Sequence, residues 1–442
     1  MYKNPVEALS DKSLLIIFAY APAGLGHLRV TDALYHGLPK EATNPLLLGA
    51  QDTSITYLHR VMSLNPIISR LADLAETNNF FETVTTNIYR KILRSHTDVL
   101  YKQMLTIIDE IYTTPSKVLV VATHFGLAHQ LSAIKEKLEK EKNIKMILAV
   151  QVTDDAPFYI WCVPGADVIF VPSHKTKEKL ERYAKKIACP ARIIVNPYPL
   201  NPDLNKPLNE SDFKEKIYQV DADKNISTQV IIPVSGAAVQ TDFFLKLVSE
   251  LHTRSPRFIF HTVVKNAPFT KSFIDRMSNF DFTHLYIAAS DRKVIENYEY
   301  VYNKNIISLE VTKPSEQSFK ALLDCKSKSA SILIFTKPVG RQEFDNLDFL
   351  KRHSLIPTPS EQKALWKMGD PGEFLNKAKN WRGLLLPPHS SQAADFIYWC
   401  LKTGIFEKMM SYKLKTNDKD EYSAEVSPDG VKLFWEKVSS FL

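Results

Sequence analysis

An imidazole between a glycine turn and a helix is the most chemically suggestive feature of this 442-residue chain. Ala23-Gly24-Leu25-Gly26-His27-Leu28-Arg29 follows the apolar run Ser13–Ala19. Glycines there let backbone approach a ligand closely, and a helix start turns N–H groups and a positive dipole end toward an anion. His27, at the carboxyl end of a strand, is placed to be a general base. The segment is neither a full G-x-G-x-x-G nor a P-loop, so a tight turn with a surface histidine accounts for it as well. Ile231-Ile232-Pro233-Val234-Ser235-Gly236-Ala237-Ala238 repeats the pattern in the second half. Small residues there suit phosphate oxygens against N–H groups, or simply close helix–strand packing. Lys337-Pro338-Val339-Gly340-Arg341-Gln342-Glu343-Phe344-Asp345-Asn346 gathers carboxylate, amide and guanidinium groups that can bind sugar hydroxyls or cap a solvated helix. Asp221-Ala222-Asp223 has the D-x-D form of some cation-holding sites, but its place before a strand reads better as a solvated turn. Thr153-Asp154-Asp155 and His124 each follow a strand and are open to either a site or a capping role.

The elements that must position these groups follow βαβ grammar. Buried strands are expected at Ser13–Ala19, Val118–Ala122, Met146–Val150, Val168–Val171 and Ile193–Val195, with a helix starting near His27. Continuous apolar runs of this kind mark parallel strands covered on both faces. Prolines and turn formers from 196 to 213 place a linker there. A second alternation follows, with strands at Val230–Val234, Phe258–Val264, Leu285–Ala288, Ile306–Leu309 and Ser331–Phe335. The organisation expected is therefore α/β: two Rossmann-like domains, 1–200 and 201–410, and a tail, 411–442, returning to the N-terminal domain.

Composition narrows the class. With 45% apolar and 24% charged residues the chain is globular. Cys162, Cys189, Cys325 and Cys400 are widely spaced, which suggests reduced thiols in a cytoplasmic protein and no zinc site. The apolar runs fall far short of the roughly 18 residues that span a bilayer. A formal charge of +7 permits anionic partners without choosing among them, and no basic–aromatic module points to nucleic acid. Between Tyr57 and Tyr101, Val61, Met62, Leu64, Ile67, Ile68, Leu71 and Leu74 mix with Arg60, Arg70, Arg90, Lys91 and Arg94. Such a mixture can lie on an anionic membrane or form a core-facing helix pair.

In order and spacing these segments resemble the glycosyltransferase group that contains monogalactosyldiacylglycerol synthase and bacterial diacylglycerol glucosyltransferases, with the lipid II N-acetylglucosaminyltransferase more distant. The resemblance spans about 14–355. It is carried by Gly24-Leu25-Gly26-His27, Thr123-His124, Val152-Thr153-Asp154, Trp161 and Val171-Pro172-Ser173 in the first half. In the second half it is carried by Ser235-Gly236-Ala237, Val264-Lys265-Asn266, Thr312-Lys313-Pro314 and Pro338–Leu350. The chain departs from the group's pattern at Ser315, Glu316, Lys320 and Arg341, all on the donor side.

The resemblance implies a GT-B fold, its two domains facing across a cleft, and inverting, metal-independent transfer of a hexose from a UDP-sugar to a diacylglycerol-like lipid. No cofactor is implied beyond that co-substrate. His27 would be the base. The donor would meet Ser235, Gly236, Ala237, Lys265, Asn266, Lys313, Glu316, Gln342, Glu343 and Asn346; the acceptor would meet Gly24, Gly26, His124, Asp154 and Trp161. The expected setting is cytoplasmic, peripheral on the inner face of the cell membrane. A nucleotide-sugar epimerase of the same architecture and a catalytically degenerate sugar-nucleotide-binding protein are the alternatives.

Overall fold

The computed structural model describes residues 4–21, 25–42, 45–49, 79–111, 115–234, 240–335, 340–414 and 424–442. The chain forms two compact units: Met1–Asn201 with Asp418–Glu425 and Asp429–Leu442, and Pro202–Asn417 with Val426–Pro428.

The first unit is built on six parallel strands: β1 (Leu14–Tyr20), β2 (Leu46–Gly49), β3 (Lys117–Ala122), β4 (Lys145–Gln151), β5 (Val168–Val171) and β6 (Arg192–Val195). Their order is β2-β1-β3-β4-β5-β6. Most positions of β1, β3, β4 and β5 are buried, as their unbroken apolar runs require of strands covered on both faces. The strand order reverses between β1 and β3, which pair from Leu14↔Lys117 to Ala19↔Ala122. Ligands of open α/β sheets bind beyond the carboxyl ends of strands at such a reversal. Four helices matter for the site: α1 (Leu25–His36), α2 (Asn79–Ser95), α3 (Phe125–Lys142) and α4 (His174–Lys186).

The second unit repeats the plan with β7 (Thr228–Pro233), β8 (Phe258–Lys265), β9 (Thr283–Ala288), β10 (Leu309–Thr312), β11 (Ser331–Phe335) and β12 (Gly383–Leu386), in the order β12-β11-β10-β7-β8-β9. Counted from β7, this is the Rossmann order 6-5-4-1-2-3, reversing between β7 and β10. Two helices bear on its site, α5 (Asp291–Lys304) and α6 (Arg341–Arg352).

One expected strand is displaced. The run Ile306–Leu309 meets the sheet only at its last residue, and the strand continues through Glu310 to Thr312. Glu310 concealed it, because a carboxylate breaks an apolar run; here the group is fully buried and accepts from Tyr298 and Tyr302, 2.7 Å each, and from Lys320. Two four-residue strands, β2 and β12, are additions to the sequence reading.

A last helix, α7 (Gly430–Ser439), belongs to the first unit. Its Trp435 Nε1 donates to Leu34 O at 3.0 Å and its ring meets Phe18 edge-on, while Lys437 Nζ reaches Val195 O at 2.9 Å. Gly430 makes this docking possible: a Cβ there would lie 2.5 Å from Pro197 O and closer still to Tyr198 O. Those are main-chain atoms, which cannot move aside without shifting the fold.

Candidate active site

At the β1/β3 reversal the chain brings two histidines together. His27 lies in the first turn of α1, following β1, and His124 is the residue before α3, following β3. Their rings meet edge to face with centroids 5.0 Å apart. His27 Nδ1 is 2.7 Å from Thr123 O and 3.3 Å from Thr153 Oγ1. Trp161 stands 6.2 Å from His27 and meets Phe125 at 5.6 Å, and Phe125 stacks on His124 at 4.8 Å. His124 is fully buried, whereas His27 is half-buried. Asp154, also half-buried, follows Thr153 directly. Gly126 leaves room for the His124 ring, since a Cβ there would meet its Cε1 at 2.8 Å. The arrangement offers an imidazole backed by a backbone carbonyl and flanked by aromatic faces, which suits proton transfer from a bound hydroxyl.

Of the first-half candidates, His27, His124 and Trp161 therefore converge, and Gly26 lies in the same helical turn as His27. Gly24 lies outside the described residues. Sequence reasoning missed Thr31 and Phe125 as parts of the site. Thr31 had a signal, because position i+4 of a helix stacks above His27; its Oγ1 donates to His27 O at 2.9 Å.

The second-half candidates are arranged differently. Ser235, Gly236 and Ala237 lie outside the described residues. Lys265 ends β8 and pairs with Asp291 at 2.9 Å, and Asn266 continues the chain with its N–H on Ala288 O at 2.8 Å. Lys313 Nζ lies 2.6 Å from Glu343 Oε1, and Asn346 Nδ2 donates to Pro314 O at 3.2 Å. Glu343 and Asn346 are buried, so these groups tie α6 to the end of β10. Gln342 is exposed on the first turn of α6, and Glu316 is half-buried after β10. Gly340, before α6, has φ +85°, a value that favours glycine.

Two of the four departures from the group's pattern have local structural accounts. Lys320 is in the core, bonded to Glu310, Tyr298 and, at 2.6 Å, Gln317 Oε1. Arg341 pairs along its helix with Asp345 at 3.3 Å. Asp221 and Asp223 form a local turn, Asp223 N donating to Asp221 Oδ1 at 2.8 Å, at the amino end of β7 and thus the edge opposite to a carboxyl-end site.

No family model matches the chain, and no curated protein does. Solved structures similar to it include an S. aureus MnaA–UDP co-structure at 10% identity and TM-score 0.44, covering 96% of each chain. A Medicago truncatula UGT complexed with UDP-glucose is 11% identical with TM-score 0.45, covering 98% of this chain and 100% of that one. An Arabidopsis thaliana UGT complexed with UDP-L-rhamnose is 10% identical with TM-score 0.48, covering 96% and 98%. At these values the likeness assigns no substrate to this chain.

Beside the histidines, α2 sends several charged groups inward and an apolar stripe outward. Beside the apolar Leu93 its buried face carries polar groups: Glu82 Oε1 accepts from Tyr159 N at 2.9 Å, Arg90 donates to Cys162 O at 3.3 Å, and Arg94 reaches Ser132 Oγ at 2.9 Å. Lys179 of α4 lies 3.7 Å from Glu82, and the Tyr159 and Tyr183 rings stack at 4.0 Å beneath Arg90. The opposite face carries Val84, Ile88 and Ile92, exposed by 40%, 58% and 42%, at the i, i+4, i+8 spacing of one helical stripe. Residues 57–78 of the segment read as membrane-lying are outside the described residues. No described helix is long and apolar enough to cross a membrane.

Proposed function

We propose that the chain is a glycosyltransferase that moves a hexose from a UDP-sugar to the hydroxyl of a diacylglycerol-like lipid, inverting the anomeric carbon. The observation that carries this reading is the His27 imidazole held by the Thr123 carbonyl at the β1/β3 reversal, with Trp161 beside it. In the proposed step the acceptor hydroxyl gives its proton to His27 Nε2 while its oxygen forms the new bond to the anomeric carbon. The bond from that carbon to the diphosphate oxygen breaks, and its electron pair leaves with UDP. Attack from the face opposite the leaving group accounts for inversion. N–H groups around Ser235 and Gly236 are assigned to offset the charge on the departing diphosphate, with Ala237 beside them on the donor side. Lys265, Asn266, Lys313, Glu316, Gln342, Glu343 and Asn346 remain the assigned donor side, and Gly24, Gly26, His124, Asp154 and Trp161 the acceptor side.

A lipid acceptor is supported by the outward stripe of α2. Exposed apolar residues on a helix lose less free energy against acyl chains than against water. Next to it α4 carries Lys175, Lys177, Lys179, Arg182, Lys185 and Lys186 against Glu178 and Glu181, a balance that favours anionic headgroups. Peripheral attachment to a membrane is part of the same reading.

The test is incubation with a panel of UDP-hexoses, with and without diacylglycerol, and identification of products by mass spectrometry. A glycolipid formed only when both substrates are present supports the proposal. A donor epimerised without acceptor, or no turnover of any donor, overturns it. Flotation with anionic vesicles tests the membrane surface: wild type floats, Ile88→Asp floats less, and equal behaviour with neutral vesicles counts against headgroup recognition.

A further inference from the structure

His27 and Thr123 are joined twice, and the two connections close a circuit. On one side the ring binds the main chain, with Nδ1 2.7 Å from Thr123 O. A carbonyl oxygen only accepts, so Nδ1 carries the proton and the ring's lone pair is on Nε2. On the other side Thr31 Oγ1 lies 2.9 Å from His27 O, where again only the hydroxyl can donate. The same Thr31 oxygen is 2.7 Å from Thr123 Oγ1. Thr31 has already used its one proton, so Thr123 must be the donor in that pair.

The direction of every bond follows. Thr123 O–H donates to Thr31 Oγ1, Thr31 O–H donates to the His27 carbonyl, and His27 Nδ1–H donates to the Thr123 carbonyl. Both threonines are buried, at 1% and 0% exposure, so water does not compete for these bonds and each missing partner would leave a buried polar group unsatisfied. The circuit joins the first turn of α1 to the residue after β3, the two sides of the strand-order reversal. Within it the ring bonds a peptide carbonyl.

We propose that Thr31 and Thr123 are positioning residues whose hydroxyls fix the start of α1 against the end of β3, so that the Thr123 carbonyl stays on His27 Nδ1, the Nδ1–H tautomer is kept and Nε2 is held as the proton-accepting atom. This rests on the reading of His27 as the base. Neutral imidazole in water prefers the proton on Nε2, so the circuit works against the intrinsic preference, and opening it lets the ring return to the other tautomer or rotate.

The experiment uses Thr31→Val, Thr123→Val, the double variant, and Thr31→Ser with Thr123→Ser as conservative controls, in the full chain. Two readouts are taken: the His27 tautomer from nitrogen-15 NMR of the substrate-free protein, and kcat and KM for the transfer reaction. Each valine variant is expected to shift the Nδ1–H population toward Nε2–H and lower kcat roughly 10-fold to 100-fold with donor KM unchanged, as a small misplacement of a reacting group does. The double variant is expected to be no worse than either single one, because either change opens the same circuit. The serine variants, which keep the hydroxyls, are expected to match wild type in both readouts. Wild-type tautomer populations in folded valine variants would overturn the proposal, and so would additive losses in the double variant. Serine variants as impaired as the valines would overturn it too, since packing and not the hydroxyl would then be at work. The tautomer is measured without substrate, so a failed circuit is distinguished from a failed base assignment, which the turnover of His27→Ala decides.

Discussion

Both sheets are parallel, six-stranded and reversed in order beside their first strand, yet they use polar residues in opposite ways. At the β1/β3 edge of the first unit, the His27 ring is bonded to Thr123 O, the His27 main-chain carbonyl accepts from Thr31, and the residue remains half-buried. Around β10 of the second unit, charges are spent on one another: Lys313 on Glu343 at 2.6 Å just past the strand, and within the core Lys320 on Glu310 with two tyrosines closing around the carboxylate. The difference teaches that a residue's type does not announce its task. A half-buried histidine at a strand-order reversal is open to a ligand, whereas a lysine locked to a buried carboxylate serves the scaffold.

The comparison breaks most visibly at its two centres. His27→Ala is expected to lower turnover on the order of 10²–10⁴ with the fold retained, checked by transfer kinetics beside a thermal melt. Lys320→Met is expected to do the reverse. Leaving Glu310 buried without its cation should cost about 3–5 kcal/mol of stability in urea unfolding. Replacing both partners, Glu310→Gln with Lys320→Met, should recover part of that loss. A Lys320→Met protein as stable as wild type would show that the second edge does not rely on its ion pair.

A smaller effect sharpens the contrast between buried and working histidines. Burial pushes His129 of the first unit down to about 3, despite its bond to Ile160 O and with Arg90 and Arg94 adding to the shift, and pushes His261 of the second down to about 4, with His284 adding. Each folded-state pKa lies below the unfolded value near 6.5, so each contributes stability that is present above about pH 6.5 and lost as pH falls toward the folded value. Between pH 7 and 5 the loss is about 2 kcal/mol per histidine. Urea unfolding at the two pH values measures it, and His129→Gln or His261→Gln should flatten the dependence in part. The smallest change expected is Gly126→Ala, which presses on the His124 ring and should cost about 1 kcal/mol, with a few-fold effect on turnover at most.

Most strands were legible because a parallel strand covered on both faces must be an unbroken apolar run, and Leu14–Ala19, Val118–Ala122 and Ile332–Phe335 are such runs. β10 was misplaced by three residues because Glu310 gives no sign in one dimension that Lys320 and two tyrosines will neutralise it. β2 and β12 were too short to show a period.

Sequence alone determined the α/β alternation, the doubling of the plan and the place of His27 after a strand, since all three follow from local pattern and from what a strand–turn–helix does to the residue at its apex. Tertiary structure alone decided which polar groups meet. His27 and Thr123 lie 96 positions apart, and only the pairing of β1 with β3 sets the ring against that carbonyl. The inward turn of Glu82 and Arg90, which sends Val84, Ile88 and Ile92 outward, is likewise a property of what α2 packs against. Hydrogen bonds reach about 3 Å and depend on direction, so no spacing along a chain can specify them before the fold brings distant segments together.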